Sequence, residues 1–430
     1  TVEHRIVASK RGEDFFDGNR NFGYGGFTYD GRWKPIASDI ISNYNLKNNS
    51  NILQINSEKG FLHCDVLIIG SGPSGLVSAY IAGLSGAMVL LVEEDFVFGG
   101  SLNNETFTIS DMPAQDWVKF IIKDLNKLSN VKLMKKTEII GMFDHGIFGA
   151  IEKNKYKKIN KIFWKITTKK TLLCSGSTER LIPFQNNDLP GIMLSNSIRS
   201  FTNRWGIKSF KRVLLFTNND DAYLTAINLI DNGINCIGIV DTRHNPKNVN
   251  PKINVYTSSQ VINAHGNLKL KSVDIINSEG KIINIECDFL GVSGGWNPNI
   301  HISCHTGVKP EWNKKILAFT PGKNNISTHL EAAGSVNGKF TLNECFYDSE
   351  IKIVKILDEL KIKPKKYVIP KIEKDTFNID SFWFVKSGKK RKWVDLQNDV
   401  TVKDIEIAYN ENFRSVEHLK RYTTLGMATD

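Results

Sequence analysis

None of the six cysteines in this 430-residue chain stands in a C-x-x-C pair. Cys64, Cys174, Cys236, Cys287, Cys304 and Cys345 lie far apart, which excludes a dense disulfide framework and points to a reduced, cytoplasmic compartment. One ligand-like spacing exists, His301-Ile302-Ser303-Cys304-His305, but it follows the loop-like Trp296-Asn297-Pro298-Asn299 and no second cluster completes it. No metal is therefore expected. A signal-peptide pattern is missing, and so is an initiating Met. Asp430 falls inside a patterned region, so the chain reads as a fragment.

Acidic residues are outnumbered, 45 Asp and Glu against 56 Lys and Arg, for a formal net charge of +11. A basic balance can mark a nucleic-acid binder. Here the lysines are scattered or sit in short runs, as at 153–158 and 389–392, among many Asn and Ile. That mixture is the product of an AT-rich coding sequence and reads as a solvated basic surface, with no nucleic-acid partner. A face that docks an acidic partner subunit stays open. With 41% hydrophobic and 23% charged residues, the composition is that of an ordinary globular protein. Its length allows two or three domains.

Charge is wholly absent from Val66 to Val92. A membrane helix needs about 20 such residues, but Gly70-Ser71-Gly72-Pro73-Ser74-Gly75 breaks the run where a span needs helix formers. The flanks, 66–69 and 88–92, are aliphatic runs suited to strands buried on both faces. Between them Leu76, Ala79, Tyr80, Gly83 and Leu84 repeat at helical spacing. The stretch reads as strand, loop, helix and strand, with no membrane span. Its G-x-G-x-x-G spacing assigns Gly70 to the tight turn, Gly72 to close approach of a pyrophosphate and Gly75 to helix–sheet packing. The helix N-terminus, with Ser71, Pro73 and Ser74 beside it, offers amides to the phosphates. Of the acids that end the second strand, Glu93 is the choice for the ribose, with Glu94 next to it. An acid in place of Arg favours a free 2′-hydroxyl, hence NAD or FAD over NADP.

Phe96 to Leu102, with Gly100 and Ser101, gives a second close backbone approach, expected against the cofactor. A helix is expected over 116–128 with Trp117, Phe120, Ile121 and Leu125 on one face, then strands at 131–134 and 137–141. The run Thr171 to Gly176 ends in Ser-Gly, as where a chain returns beneath a bound cofactor. A second β-α-β unit spans Arg212–Phe216, Ala222–Asn232 and Cys236–Asp241, but its loop, Thr217-Asn218-Asn219-Asp220-Asp221, has no glycine and two acids. The fold is expected to survive there without a working nucleotide site. Residues 289–296 are expected to return to the first domain. Glu331-Ala332-Ala333-Gly334-Ser335 closes it, with Gly334 and Ser335 at the ribose-pyrophosphate region. Flavin enzymes often carry an acid where Ser335 stands. Thr401 is expected to cap a helix to about Tyr409, and a second follows over 415–421.

The stretches "EDFVFGG", "GSTERLIPFQNNDLPGIML", "TNNDDAY", "SGGWNPNIH" and "DVTVKDIEIAYNENFRSVEHLKRYTTLGMATD" resemble, in order, the α subunit of heterotetrameric sarcosine oxidase from about residue 64 to 430. The resemblance implies NAD at the first motif, a partner β subunit that carries FAD and oxidises the amine, FMN at the boundary between them, and further small subunits. Related opine oxidase subunits carry a cysteine cluster for iron and sulfur near the final helices. Asp395-Leu396-Gln397-Asn398-Asp399 stands there, so no cluster is expected. The folate-binding domain of the family would begin after Asp430.

Residues 1–63 depart from that pattern. "FFDGNRNFGYGGFTYDGRWKPIASDI" and "NILQINSEKGFLHCD" resemble the start of a class I S-adenosylmethionine methyltransferase with a degenerate loop, Asn56 to Gly60. A junction of two coding sequences, unable to bind the methyl donor, is expected. The fold class expected is α/β, a two-dinucleotide-binding-domain (FAD/NAD(P)-binding, Rossmann-like) fold with a small helical C-terminal segment. Its parts are 1–63, a discontinuous first domain of 64–195 plus 288–350, an inserted second domain of 196–287, a linker of 351–394 and a helical segment of 395–430. The implied function is the cofactor-bearing subunit of a sarcosine-type amine oxidase, with no catalytic residue assignable in this chain. The alternatives are a stand-alone NADH-dependent FAD oxidoreductase and a non-catalytic nucleotide-binding scaffold.

Overall fold

The structure, a computed structural model, describes residues 57–153, 160–247, 253–305, 307–322, 329–370, 372 and 376–427. The methyltransferase-like reading of residues 1–56 lies outside them. Ser57 to Gly60, expected as a degenerate loop, instead begin a strand, β1 (Ser57–Ile69), which runs unbroken across the boundary placed at 63/64.

The charge-free stretch folds as its pattern requires. β1 leads through the glycine loop into α1 (Pro73–Leu84), with proline in its first turn, and the chain returns as β2 (Val89–Val92). The two strands are parallel, with Val66 opposite Val89 and Ile69 opposite Val92. Alternate residues of β1 face opposite sides of the sheet. Val66 and Ile68 join α1 and α2 (Ala114–Leu125) in one core, while Leu67 and Ile69 join Met142, Phe148 and Ile166 in another. On α2 the inward face is Trp117, Val118, Ile121 and Leu125; Phe120, expected on that face, is exposed.

The remaining strands of this sheet are β3 (Val131–Met134), β4 (Thr137–Phe143), β5 (Ile147–Lys153) and β6 (Lys161–Leu173). The order is β3-β2-β1-β6-β5-β4, and Leu330–Ala332 lies parallel to the end of β6. Strand order reverses around β1, and in such sheets ligands bind beyond the carboxyl ends of the strands at that point. The glycine loop occupies it.

A second, fully parallel sheet is built from β7 (Ile192–Leu194), β8 (Arg212–Thr217), β9 (Asn235–Asp241), β10 (Val255–Tyr256) and β11 (Phe289–Ser293), in the order β7-β11-β8-β9-β10. Helices α3 (Ser195–Asn203) and α4 (Asp221–Asp231) belong to it. Two domain boundaries therefore move. Residues 289–293 were expected in the first domain, yet β11 is an inner strand of the second sheet, between β7 and β8. The crossing lies at the antiparallel pair Ser177–Glu179 and Trp296–Pro298.

The segment expected as a linker, 351–394, is not one. Its first nine residues complete α5 (Leu342–Glu359), which Thr341 and Glu344 begin with a reciprocal capping box. Beyond it the described residues, 360–370, 372 and 376–392, form a strap without a helix. Tyr367, Ile369 and Ile372 pack on the first core, while Phe382 and the buried Val385 pack into the second domain. The C-terminal helices are α6 (Val402–Asn410), with a capping box between Thr401 and Asp404, and α7 (Val416–Thr423). Among the described residues no helix is long and apolar enough to cross a membrane.

Candidate dinucleotide-binding site

Each glycine of the first loop meets a different constraint. Gly70 has φ +95°, and a β-carbon on it would stand 2.4 Å from the Cys174 carbonyl oxygen at the end of β6. One on Gly75 would stand 1.9 Å from the Gly70 carbonyl oxygen, so α1 can lie this close to the turn only without a side chain. At Gly72 the reverse holds, since a β-carbon would meet no atom within 4 Å. The open space lies where the backbone of α1 starts, and first-turn amides have no partner inside their own helix. A gap over such amides, at the positive end of a 12-residue helix, fits a pyrophosphate.

Glu93 is buried and is tied to the loop. Its Oε2 accepts from the Ser71 amide at 2.8 Å and from Ser71 Oγ at 2.6 Å, and its Oε1 accepts from the Asp95 amide at 2.9 Å. Three bonds leave a carboxylate room for about one further donor. Glu94 is exposed; desolvation and then the charges of Glu93, Glu138 and Asp95 push its carboxyl up. The second approach, at Gly99 and Gly100, is made against the first loop itself: the Gly99 amide donates to the Ser71 carbonyl at 3.1 Å, and a β-carbon on Gly100 would fall 2.8 Å from Gly72 Cα. Ser101 follows, exposed, in a short 3-10 turn.

The closing motif reaches the same place. A β-carbon on Gly334 (φ +82°) would lie 2.1 Å from Ser74 Oγ, and one on Gly176 (φ +77°) would lie 3.9 Å from Ser335 Oγ. Loops far apart in sequence thus converge around the start of α1, the region that the sequence reading assigned to the cofactor. Asp348, on α5, escaped it. Its Oδ2 accepts from the Gly334 amide at 2.9 Å and from Asn337 Nδ2 at 3.0 Å. Nothing local marks an acid in mid-helix as a partner of this turn.

The second loop is filled by the chain's own strap. The Asp220 amide donates to the Asn378 carbonyl at 3.1 Å, Asp220 Oδ2 accepts from the Asn378 amide at 3.0 Å, and the Asp380 amide donates to the Asn218 carbonyl at 3.0 Å. Arg243 ties the loop to the end of β9: its Nη1 is 2.6 Å from Asp220 Oδ1 and its Nη2 is 2.8 Å from Asp241 Oδ2, all three side chains being buried. Of the amides that would cradle a pyrophosphate, that of Asp220 holds the strap and those of Asn219 and Asp221 hold Thr217 Oγ1 and Asn219 Oδ1, while the acid at the strand end holds an arginine.

A third polar group lies at the crossing between the domains. Arg199 Nη2 is 3.2 Å from Asp221 Oδ1 and 3.5 Å from Glu105 Oε1. Buried Glu179 sits beside them, its Oε2 accepting from the Asn196 amide at 2.8 Å. Burial, reinforced by the charge of Asp221, pushes its carboxyl up to about 8.

Comparison with known proteins follows the same division. Residues 65–151, which carry the glycine loop and Glu93, match the FAD dependent oxidoreductase family, and residues 389–430 match the sarcosine oxidase A3 domain. Sarcosine oxidase subunit alpha of Rhizobium meliloti (strain 1021) is 34% identical over 386 residues, covering 87% of this chain and 38% of that protein. Over that matched region the chain is similar to the sarcosine oxidase α subunit. The subunit of the same name from Corynebacterium sp. (strain U-96) is 29% identical over 402 residues, covering 86% of this chain and 41% of that protein. The chain thus spans about two fifths of the length of the curated relatives it matches. In fold it is similar to L-proline dehydrogenase from P. horikoshii, with a TM-score of 0.64, 20% identity, and coverage of 86% of this chain and 71% of that one. The fold class is the one the sequence predicts, α/β of the FAD/NAD(P)-binding, Rossmann-like kind. Among the described residues no group of three or more His, Cys, Asp or Glu is placed to hold a metal.

Proposed function

We propose that the chain is the dinucleotide-binding subunit of a sarcosine-type amine oxidase, with NAD held over Gly70, Gly72 and Gly75. The observation that supports this most is the contrast between two loops of one fold. The first leaves open space at a helix N-terminus, and the second is occupied by residues 378–380. Amides of Ser74 and Gly75 would face the pyrophosphate, Glu93 would take the ribose, and Gly100, Gly176, Gly334 and Ser335 would form the walls. Pro73 fixes the entry to the helix, Ser71 orients Glu93, and Glu94 and Ser101 border the site.

Bound there, NAD supplies a nicotinamide that accepts hydride, and FAD, the alternative suggested by the family matched at 65–151, supplies a flavin. Oxidation of sarcosine itself is assigned to a β-type partner subunit carrying FAD, with FMN held where the two meet, oxygen leaving as hydrogen peroxide, and further small subunits completing the assembly. The setting proposed is cytoplasmic, with neither nucleic acid nor membrane as a partner. A stand-alone NADH-dependent FAD oxidoreductase would need the second loop open, and the strap argues against it.

The test is peroxide release from sarcosine by the full chain, alone and mixed with a sarcosine oxidase β-type subunit. Activity only in the mixture supports the proposal. Sarcosine oxidation by the chain alone would overturn the division of labour.

A further inference from the structure

Asp95 stands two residues beyond Glu93, and its side chain takes no part in the cradle described above. Its amide donates to Glu93 Oε1 at 2.9 Å, which folds the turn back onto the acid assigned to the ribose. Its carboxylate grips Arg204 with both oxygens, Oδ1 to Nη2 at 2.9 Å and Oδ2 to Nη1 at 2.8 Å, while Oδ1 also accepts the Phe96 amide at 2.7 Å. Arg204 caps the end of α3 in the other domain. Its guanidinium is stacked, with its carbon 5.0 Å from the Phe96 ring centre and 4.9 Å from that of Trp205. Both members of the pair are partly buried, 19% and 28% exposed at the side chain. Screening is weaker there than at an open surface.

A guanidinium close to the strand-end acid is the group with which this fold receives a 2′-phosphate, because its flat fork meets phosphate oxygens two at a time. Here such a group is present, held against two neighbouring rings whose centres are 5.8 Å apart, and one residue away from Glu93 through hydrogen bonds. The carboxylate of Asp95 already fills its fork. We propose that Asp95 and Arg204 set the nucleotide preference of the first site. Asp95 neutralises the arginine that would hold a 2′-phosphate, and so reserves the cradle for dinucleotides with a free 2′-hydroxyl. This rests on the placement of the dinucleotide over Gly72. The carboxylate acts twice, by occupying the fork and by adding its charge to those of Glu93 and Glu94. The rings keep the guanidinium in position when the carboxylate is gone, since stacking does not depend on it.

The test is equilibrium binding of NAD, NADP and adenosine 2′,5′-bisphosphate to the full chain, as wild type, Asp95→Asn, Asp95→Ala and Asp95→Ala/Arg204→Met. Asn keeps the size and the Phe96 contact, so a misfolded turn is separated from a lost charge. The expected result is that both single variants narrow the preference for NAD over NADP by about tenfold, one charge-assisted pairing's worth, and that the double variant restores it. Equal changes in NAD and NADP affinity would overturn the proposal, and so would a gain that survives loss of Arg204. Wild-type protein that binds NAD in a Gly72-dependent way, with an unchanged ratio in the variants, would sink this inference and leave the site assignment standing. Wild-type protein that binds no dinucleotide would sink both.

Discussion

Two glycines three residues apart should respond oppositely to the same methyl group. Gly72 has φ −66° and ψ −172°, an extended conformation open to alanine, and its β-carbon would touch nothing within 4 Å. Folding should accept Gly72→Ala, with a gain of up to about 0.4–1 kcal/mol from a stiffer unfolded chain. At Gly75 the β-carbon would lie 1.9 Å from the Gly70 carbonyl oxygen, a backbone atom that cannot turn aside. Overpacking of this kind costs roughly 1–3 kcal/mol, and thermal unfolding should fall by roughly 2–8 °C. Binding should divide the other way. The methyl of Gly72→Ala stands in the space assigned to the pyrophosphate, so NAD affinity should drop at least about tenfold in a protein of full stability. Calorimetric titration and thermal scans on the same samples separate the two effects. Wild-type affinity in Gly72→Ala would refute the reasoning, as would a loss of stability equal to that of Gly75→Ala.

Arg243→Met should leave Asp220 and Asp241 buried without their cation and cost about 3–5 kcal/mol, read as a large fall in the urea midpoint. Glu179 should make the protein less stable as pH rises. Its folded value, about 8, lies above the usual 4.5, so between these the native state binds the extra proton; the contribution is full below about 4.5 and is lost on the way to 8. Glu179→Gln should flatten that part of the stability profile, and an unchanged slope would contradict the assignment. Burial raises the thiols of Cys64 and Cys236 to about 11 and that of Cys287 to about 12. Maleimide at pH 7.5 should leave these three unlabelled until the protein is unfolded, which peptide mapping by mass spectrometry reads directly.

What the sequence disclosed was local. The turn, the helix and the two strands around Gly70 to Gly75 are written in contiguous residues whose spacing carries its own mechanics, and the structure places them accordingly. Thr401 and Asp404 declare their helix in four residues. The misplaced elements depend on distant partners. Phe289 to Ser293 is an apolar run that suits either sheet, and its pairing with Ile192–Leu194 and Arg212–Thr217 decides which. The strap has no periodicity to announce burial, because side chains such as Tyr367, Phe382 and Val385 dock one at a time on surfaces made elsewhere. Closure of the second loop was half legible. Its missing glycines and paired acids argued against phosphate, but the occupant, Asn378 to Asp380, lies about 160 residues away. Phe120 failed for a plainer reason: it borders the apolar stripe of its helix, and Val118 took the inward place.

The most direct test of the central claim is the binding stoichiometry of NAD on the full chain, measured by equilibrium dialysis with wild type and Gly72→Glu. One site per chain, lost in the variant, is what an open first cradle and a second loop sealed by Asn378 predict. Two sites per chain, or one that survives Gly72→Glu, would contradict it.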